Sequence, residues 1–346
     1  MLLTLRNTAL TSSCGLALSG LLTGCAALLP AQFQPAITIR ATEPAEIFLV
    51  PAARQVAVIS RYDAAQLPYS KERKVEVMRA GAAQAVDAAL RQLTAEPSFR
   101  ATRHDTLVQA AAGEAPPLPA ATVRALCRRW NVPSLLALEG FEASMRQDQV
   151  VKEKSSDGST SKTAAYSVVV RTQWTLYDAQ GQVLNHSGTE AARPYQQRTV
   201  MSGLLAAGPA LAAAGDAVQE LAQQAGTQYA RRYTPTQLTL ERDYYTSRGL
   251  EAATAALEQR DWPAALAPLQ KLAATSDTKL ASRAAYNLSV VYEALDNLEE
   301  ALRWATKAEQ QAPTDRHAHR VLALRQRQQA AAIWEAQQVA TGAVEP

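Results

Sequence analysis

The feature that most constrains the fold is a pattern in the last third of the chain that recurs with an offset of 36 residues, the separation of Ala265 and Ala301. Each copy predicts two antiparallel helices, because small residues such as Ala301 and Ala308 allow close helix approach while Leu288 fills the space between them. A helix pair of this kind buries its apolar face only by stacking on a neighbour. The pattern therefore predicts an all-α domain over residues 246–337.

The spacing from Ala285 to Pro313 resembles that of a tetratricopeptide repeat, with Leu295-Asp-Asn in place of the common glycine turn. The resemblance implies two repeats followed by a capping helix at residues 316–337, because a stack of repeats needs a polar outer end. In that family the first helix of each pair lines the concave surface. In the second repeat this implies a partner-binding groove formed by Arg283, Tyr286, Asn287, Val290 and Glu293.

Two outcomes are open for this surface. An extended peptide could be held there by hydrogen bonds from Asn287 and Arg283 and by apolar contact with Tyr286. Alternatively, two repeats are too few for a groove, and the surface packs on the preceding domain or on the capping helix.

Residues 36–233 predict an α+β domain of α/β-like character, with a mixed sheet covered by helices. Alternating or continuous apolar runs predict strands, and apolar residues at helical spacing predict helices. The predicted strands lie at 37–40, 46–51, 55–60, 98–102, 135–142, 166–176 and 182–190, and the predicted helices at 71–94, 120–130 and 211–233. The polar, serine-rich stretch 146–162 predicts a mobile hairpin loop.

Three segments carry a resemblance for this domain: the Val-Ala-Val-Ile strand, Val132-Pro-Ser-Leu-Leu-Ala-Leu-Glu-Gly, and Leu176-Tyr-Asp-Ala-Gln-Gly-Gln-Val-Leu. Over roughly residues 55–232 the order of elements is similar to the amino-terminal domain of TolB and to the curli-secretion lipoprotein CsgG. Asn131-Val-Pro stands where such domains usually have Gly-Ala-Asp. The resemblance implies a domain that makes protein contacts instead of performing catalysis.

The first 24 residues predict a bacterial export signal, because Arg6 is their only charged residue and an apolar run follows it. This run is too short and too interrupted to be a permanent membrane span. Leu22-Thr-Gly-Cys25 resembles the lipobox of bacterial lipoproteins. That resemblance implies that Cys25 is acylated and becomes the first residue, with residues 25–35 forming a lipidated linker.

The whole arrangement is similar to a family of uncharacterised lipoproteins of the Bacteroidetes phylum. It implies a periplasm-facing envelope protein bound to the lipid bilayer through Cys25, with an unknown envelope protein or peptide as partner. The choice between outer and inner membrane stays open. With 35 Lys+Arg, 32 Asp+Glu and 6% aromatic residues, the composition does not support nucleic-acid binding.

No catalytic, cofactor-binding or metal-ligating motif is found in the sequence. His317 and His319 are two apart on a predicted helix and cannot share a metal, and Cys127 fits a small buried residue. Glu139 and Glu142 face opposite sides of a strand and are interpreted as solvated or edge carboxylates, not as an acid/base pair. The function that follows is a non-enzymatic scaffold or protein-binding role; the alternative is an envelope hydrolase with a site that the sequence does not reveal.

The lipobox generates the first testable prediction. Metabolic labelling with a palmitate analogue should mark the full chain and should be abolished in Cys25→Ala, because the thiol is the acceptor of the lipid. Cys127→Ala is the matched control and should keep the label. A label that persists in Cys25→Ala would contradict lipidation at this residue.

Overall fold

The computed structural model describes residues 35–67, 72–105, 116–154, 156, 160–201 and 209–342. The signal sequence and Cys25 lie outside the described residues, as does the linker up to residue 34. The structure has a mixed α/β amino-terminal region with a sheet and an all-helical carboxy-terminal region. The strands are β1 (Ala36–Glu43), β2 (Gln55–Ser60), β3 (Arg100–Arg103), β4 (Ser134–Lys154), β5 (Thr160–Asp178), β6 (Val183–Met201) and β7 (Thr236–Asp243). The helices are α1 (Glu72–Thr94), α2 (Ala120–Trp130), α3 (Gly215–Arg231), α4 (Glu251–Glu258), α5 (Trp262–Leu272), α6 (Thr278–Ala294), α7 (Leu298–Gln311) and α8 (Asp315–Thr341).

Five strands form the main sheet in the order β3-β2-β4-β5-β6. Strand β2 is parallel to both β3 and β4, whereas the long strands β4, β5 and β6 are antiparallel to one another. The parallel strands are joined through helices α1 and α2, as parallel pairs require a crossover connection. The predictions of β2, α1, α2 and the long strand β5 are confirmed.

Helices cover both faces of the sheet near its parallel end. Alternate residues of β2 point in opposite directions, so Val56 and Val58 pack with α1 and α3 while Ala57 and Ile59 pack with α2. Cys127 on α2 is 2% exposed, which confirms its expected burial, and burial raises the pKa of its thiol. The sheet therefore forms the middle layer of three.

The predicted loop at 146–162 is wrong over most of its length. Strand β4 continues to Lys154 and β5 begins at Thr160, so the two strands form a hairpin whose pairing runs from Ser134↔Asp178 to Lys154↔Thr160. Polar residues are compatible with these strands because both faces of the hairpin end are largely exposed. The predicted strand at 46–51 is also wrong, since residues 46–50 are irregular and Pro51–Ala53 form a 3₁₀ turn.

Strand β1 does not join the main sheet. It pairs with β7, antiparallel, from Ala36↔Asp243 to Glu43↔Thr236, and the two form a separate ribbon. Ile37 and Ile39 on one face of this ribbon are buried in the same apolar cluster as the helices α4, α5 and α6. The ribbon thus belongs by packing to the helical region and not to the domain predicted over residues 36–233.

The helical region contains two helix pairs, α4/α5 and α6/α7, whose turns repeat with the 36-residue offset. Arg260 and Asp296 both have positive φ (58° and 57°), and the next residue, Asp261 or Asn297, caps the following helix through its side chain. Ala265 and Ala301 are both fully buried where the paired helices touch. The two pairs are therefore built alike, and α8 packs on the second.

A short loop connects the two regions. Gln337 on α8 accepts a hydrogen bond from the backbone N–H of Ala45 (3.1 Å) and donates one to the Ala45 carbonyl (2.8 Å). Arg232, next to α3, donates to both carboxylate oxygens of Glu46 (2.9 and 2.7 Å). These bonds hold residues 45–46 against both regions. Among the described residues, no helix has the length and hydropathy needed to cross a membrane.

The close packing of α1 on α3 generates a prediction. A Cβ added to Gly226 would lie 2.1 Å from the backbone oxygen of Ala85, so the two helices would have to separate. Gly226→Ala should lower the free energy of unfolding by about 2 kcal/mol, a typical cost of overpacking, measured by urea denaturation. Gly215→Ala on the same helix is the control, because its Cβ would meet only Val77 at 3.5 Å. Equal stability of the two variants would contradict the contact.

Candidate functional site

The structure brings the five predicted groove residues together, but on an internal face. Tyr286, Asn287, Val290 and Glu293 on α6 are at most 3% exposed, and Arg283 is partly exposed. The segment Arg242-Asp-Tyr-Tyr245, which ends β7 and continues beyond it, lies against this face, and α8 closes it from the other side. The expectation of an open peptide groove on these residues is thus corrected, because the chain's own segments fill it.

Asn287 fixes the backbone of this segment. Its side-chain oxygen accepts from the N–H of Tyr245 (2.8 Å), and its amide nitrogen donates to the carbonyl of the same residue (2.8 Å). Both backbone groups of Tyr245 are thereby satisfied by one buried side chain, as a neighbouring strand would satisfy them. The geometry is that of peptide recognition, with the peptide supplied by the same chain.

Aromatic and cationic side chains complete this contact. The rings of Tyr245 and Tyr286 meet edge to face at 5.0 Å, and the Tyr286 hydroxyl donates to Asp243 (2.9 Å). The Arg316 guanidinium lies 3.8 Å from the centre of the Tyr245 ring and 2.7 Å from a carboxylate oxygen of Asp243. His317 lies beside the same rings, and burial lowers the pKa of its imidazole. The contact combines edge-to-face and tilted ring contacts, cation–π attraction and charge pairing.

The Glu293 carboxylate is the electrostatic centre of the face. It accepts from Arg242 of β7 (2.9 and 3.0 Å) and from Arg320 of α8 (2.6 Å), and Arg327 lies 3.5 Å away. Burial by itself would raise the pKa of Glu293, but the bonds from Arg242 and Arg320 outweigh it and hold the pKa below its ordinary value. One carboxylate therefore binds two helices and the ribbon together.

A second buried ionic cluster lies in the sheet. Glu139 on β4 is 1% exposed, pairs with Arg61, and accepts from the hydroxyl of Tyr177 (2.7 Å). Burial raises the pKa of Glu139 despite these partners, and burial together with Glu139 raises the pKa of Tyr177 to about 12. The interpretation of Glu139 as a solvated or edge carboxylate is wrong, because the residue is buried and β4 lies between β2 and β5. Glu142 is exposed as expected.

Clefts at the surface of the described residues include two that bear on function. One, of about 300 Å³, lies at the carboxyl ends of β2 and β3 and is lined by residues that include Tyr62, Arg79, Arg103 and His104. Its Arg103 is already paired with Asp87 and Asp105. Burial, with Asp63, raises the pKa of Tyr62 to about 12. Arg103 is therefore balanced by the protein itself, whereas Arg79 is exposed and forms no ion pair among the described residues.

The larger cleft, of about 530 Å³, lies between the ribbon and the helical region. Its walls are Thr38, Ile39 and Arg40 of β1, Thr239 of β7, Arg260 and Trp262 of the turn into α5, and Ala294 at the end of α6. Sequence reasoning missed this site because the ribbon that forms one wall pairs residues about 200 positions apart. Within the described ranges, no group of three or more His, Cys, Asp or Glu side chains could hold a metal ion.

The fold and these sites define a two-part protein, an α/β domain locked to a helical region. The family model described as a domain of unknown function, DUF8603, matches residues 54–245. Because this match covers more than half of the chain, the protein belongs to that family. A second model, also described as a domain of unknown function (DUF6340), matches residues 251–329, which are the paired helices and part of α8. No curated protein matches the chain.

The arginine cluster generates a stability prediction with a defined pH dependence. Glu293→Gln should lower the free energy of unfolding at neutral pH by about 3 kcal/mol, because it leaves buried arginines without their counter-charge. Since the folded pKa of Glu293 is lowered, its contribution is complete above its unfolded pKa of about 4.3 and is lost as the pH falls through the folded value. The difference between the two proteins should therefore shrink only in acid.

Glu300→Gln is the matched control, since Glu300 pairs with Arg303 one turn away on a partly exposed surface. It should change stability by less than about 0.5 kcal/mol. Urea denaturation at several pH values measures both variants. Equal stabilities for Glu293→Gln and Glu300→Gln would show that the cluster does not hold the elements together.

Proposed function

We propose that this protein is a lipid-anchored, non-enzymatic scaffold of the bacterial cell envelope, facing the periplasm, that binds another protein or peptide. The observation that carries the proposal is the Asn287 side chain bonded to both backbone groups of Tyr245. This helical face holds an extended segment through main-chain hydrogen bonds, which is how binding modules hold peptides. Here the bound segment belongs to the chain, so a partner must use another surface of the same region.

The proposal includes tetratricopeptide-type helix pairs. In both pairs the residue with positive φ donates its N–H three residues back, Arg260 to Leu257 and Asp296 to Glu293 (both 3.0 Å). The following residue caps the next helix in each pair. These equivalences, at a constant offset of 36 residues, support two copies of one helix-turn-helix unit with α8 as the cap.

Lipid anchoring rests on the lipobox at Leu22-Thr-Gly-Cys25 and on the resemblance to Bacteroidetes lipoproteins. The described chain begins at Pro35, and β1 follows at once. The ten residues from Cys25 to Pro35 span at most about 35 Å when fully extended. An acyl chain on Cys25 would therefore keep the ribbon, and the helical region packed on it, close to the bilayer surface.

The alternative, an envelope hydrolase, receives no specific observation. Glu139 has a raised pKa, a property of many catalytic acids. However, one of its oxygens accepts from Tyr177 and the other pairs with Arg61, and the residue is 1% exposed. The arrangement is explained by the need to neutralise a charge inside the sheet.

Crosslinking in intact cells tests the proposal. The tagged full chain should fractionate with membranes and should give a discrete crosslinked protein adduct in envelopes. Cys25→Ala should lose both the membrane fractionation and the adduct, whereas Cys127→Ala should retain both. A wild-type chain that fractionates away from membranes, or that gives the same adducts as Cys25→Ala, would contradict an envelope-anchored scaffold.

A further inference from the structure

We propose that the cleft between β1 and the α4–α5 turn is a binding site for an extended acidic peptide. This inference rests on the proposed protein-binding function and names its site and the chemistry of its partner. The cleft is about 530 Å³ in volume, which is within the range of pockets that bind small ligands or short segments.

The positive charge of the cleft favours an anionic ligand. Of the described residues that line it, Arg40 and Arg260 alone are charged, and both side chains are exposed. In the described part of the chain neither guanidinium forms an ion pair, although most arginines near the ribbon and α8 do. The nearest acid on the same ribbon face is Glu241, which stands opposite Thr38 and forms no ion pair with Arg40. Two uncompensated guanidiniums at one cleft favour a carboxylate-bearing ligand.

The ribbon favours an extended peptide. Thr38, Ile39 and Arg40 of β1 are consecutive, and all three line the cleft. Thr239 of β7 is paired with Arg40 and lines the cleft as well, so the lining spans both strands of the ribbon. A ligand that contacts three consecutive residues of one strand and its neighbouring strand would lie along the ribbon in an extended form.

The turn between α4 and α5 supplies the opposite wall. Arg260 has φ of 58°, a left-handed conformation that costs an arginine free energy and that glycine adopts freely. The chain nevertheless places a long cationic side chain there, where it lines the cleft. Trp262, two residues on, packs partly on the core of the helical region and also lines the cleft. It offers a ring surface for the side chains of a bound segment.

Fluorescence polarisation with a labelled decapeptide of alternating glutamate and threonine tests the site. The detergent-solubilised full chain should bind this peptide saturably, and more weakly as salt is added. It should bind the glutamine–threonine counterpart at least about tenfold more weakly, because charged hydrogen bonds are lost. The double variant Arg40→Gln/Arg260→Gln should lose affinity for the acidic peptide by about tenfold or more.

Two controls separate recognition from stability and from net charge. Arg128→Gln/Arg129→Gln removes the same charge from exposed positions on α2 and should leave binding unchanged. Arg260→Gly suits the left-handed turn, so it should weaken peptide binding while keeping the melting temperature. Equal peptide affinity of the wild type and the Arg40/Arg260 double variant, or no saturable binding by the wild type, would overturn the site.

A lipid ligand is distinguished in the same experiment. In the Cys25→Ala background, phosphatidylglycerol vesicles should bind the chain equally with or without Arg40 and Arg260. Vesicle binding that depends on both arginines, without peptide binding, would overturn the peptide proposal in favour of a membrane contact. Either failure leaves the envelope crosslinking result unaffected, so the scaffold proposal and the acidic-peptide site fall separately.

Discussion

The relative placement of the ribbon, α6 and α8 depends on the buried carboxylate of Glu293. Arg242 reaches it from β7, and Arg320 and Arg327 reach it from α8. Burying a guanidinium without a counter-charge costs free energy. These arginine side chains are therefore buried next to the Glu293 carboxylate, which neutralises them. In the first helix pair the equivalent position is Leu257, also fully buried. Burial alone therefore does not require an acid here; the acid is needed because arginines from two other elements converge on it.

This ionic centre also determines the position of the amino-terminal end of the fold. Arg242 lies opposite Ile37 in the ribbon, so fixing β7 on α6 fixes β1 as well. At the far end of α8, Gln337 holds Ala45, and the neighbouring Glu46 pairs with Arg232 beside α3. Polar bonds thus hold both ends of residues 37–46. Arg242, opposite Ile37, bonds to Glu293 at one end, and Ala45 and Glu46 form their bonds at the other. Each of the bonds of Ala45 and Glu46 joins one specific pair of residues, so together they fix residues 45–46 against both regions.

Local sequence pattern was sufficient to predict β2, α1, α2 and β5, because β2 is a continuous apolar run buried on both faces and the other three bury apolar residues at helical or strand spacing. The pairing of β1 with β7 could not be predicted in this way, since it joins distant parts of the chain. The strand at residues 146–154 was predicted as a loop for a different reason. Its residues are largely polar and exposed, so it is stabilised by cross-strand bonds that composition does not show.

The prediction of the site residues was limited in the same way, by contacts between distant parts of the chain. Repeat spacing predicted that five residues of α6 share one face. It could not reveal that the chain's own Arg242–Tyr245 segment covers that face. The five are Arg283, Tyr286, Asn287, Val290 and Glu293. One signal was present: an offset of 36 residues aligns Glu293 with Leu257, an acid with a buried leucine. A charged residue at a core position requires a partner. Glu139, inside the apolar run of β4, and Arg61, directly after β2, gave the same signal in adjacent strands.

The occupied face of α6 and the open cleft at β1 have a common physical cause. Because the Arg242–Tyr245 segment is bound on α6, the ribbon that lines the cleft is fixed on the helical region. A peptide that binds to a fixed ribbon loses only its own conformational freedom, whereas a flexible ribbon would have to be ordered as well. The internal contact that removes one binding surface therefore prepares another. With Cys25 anchored as proposed, Arg40 would be 15 residues from the acylated thiol and at most about 50 Å from the bilayer, so the cleft would be accessible to acidic segments of proteins close to the membrane surface.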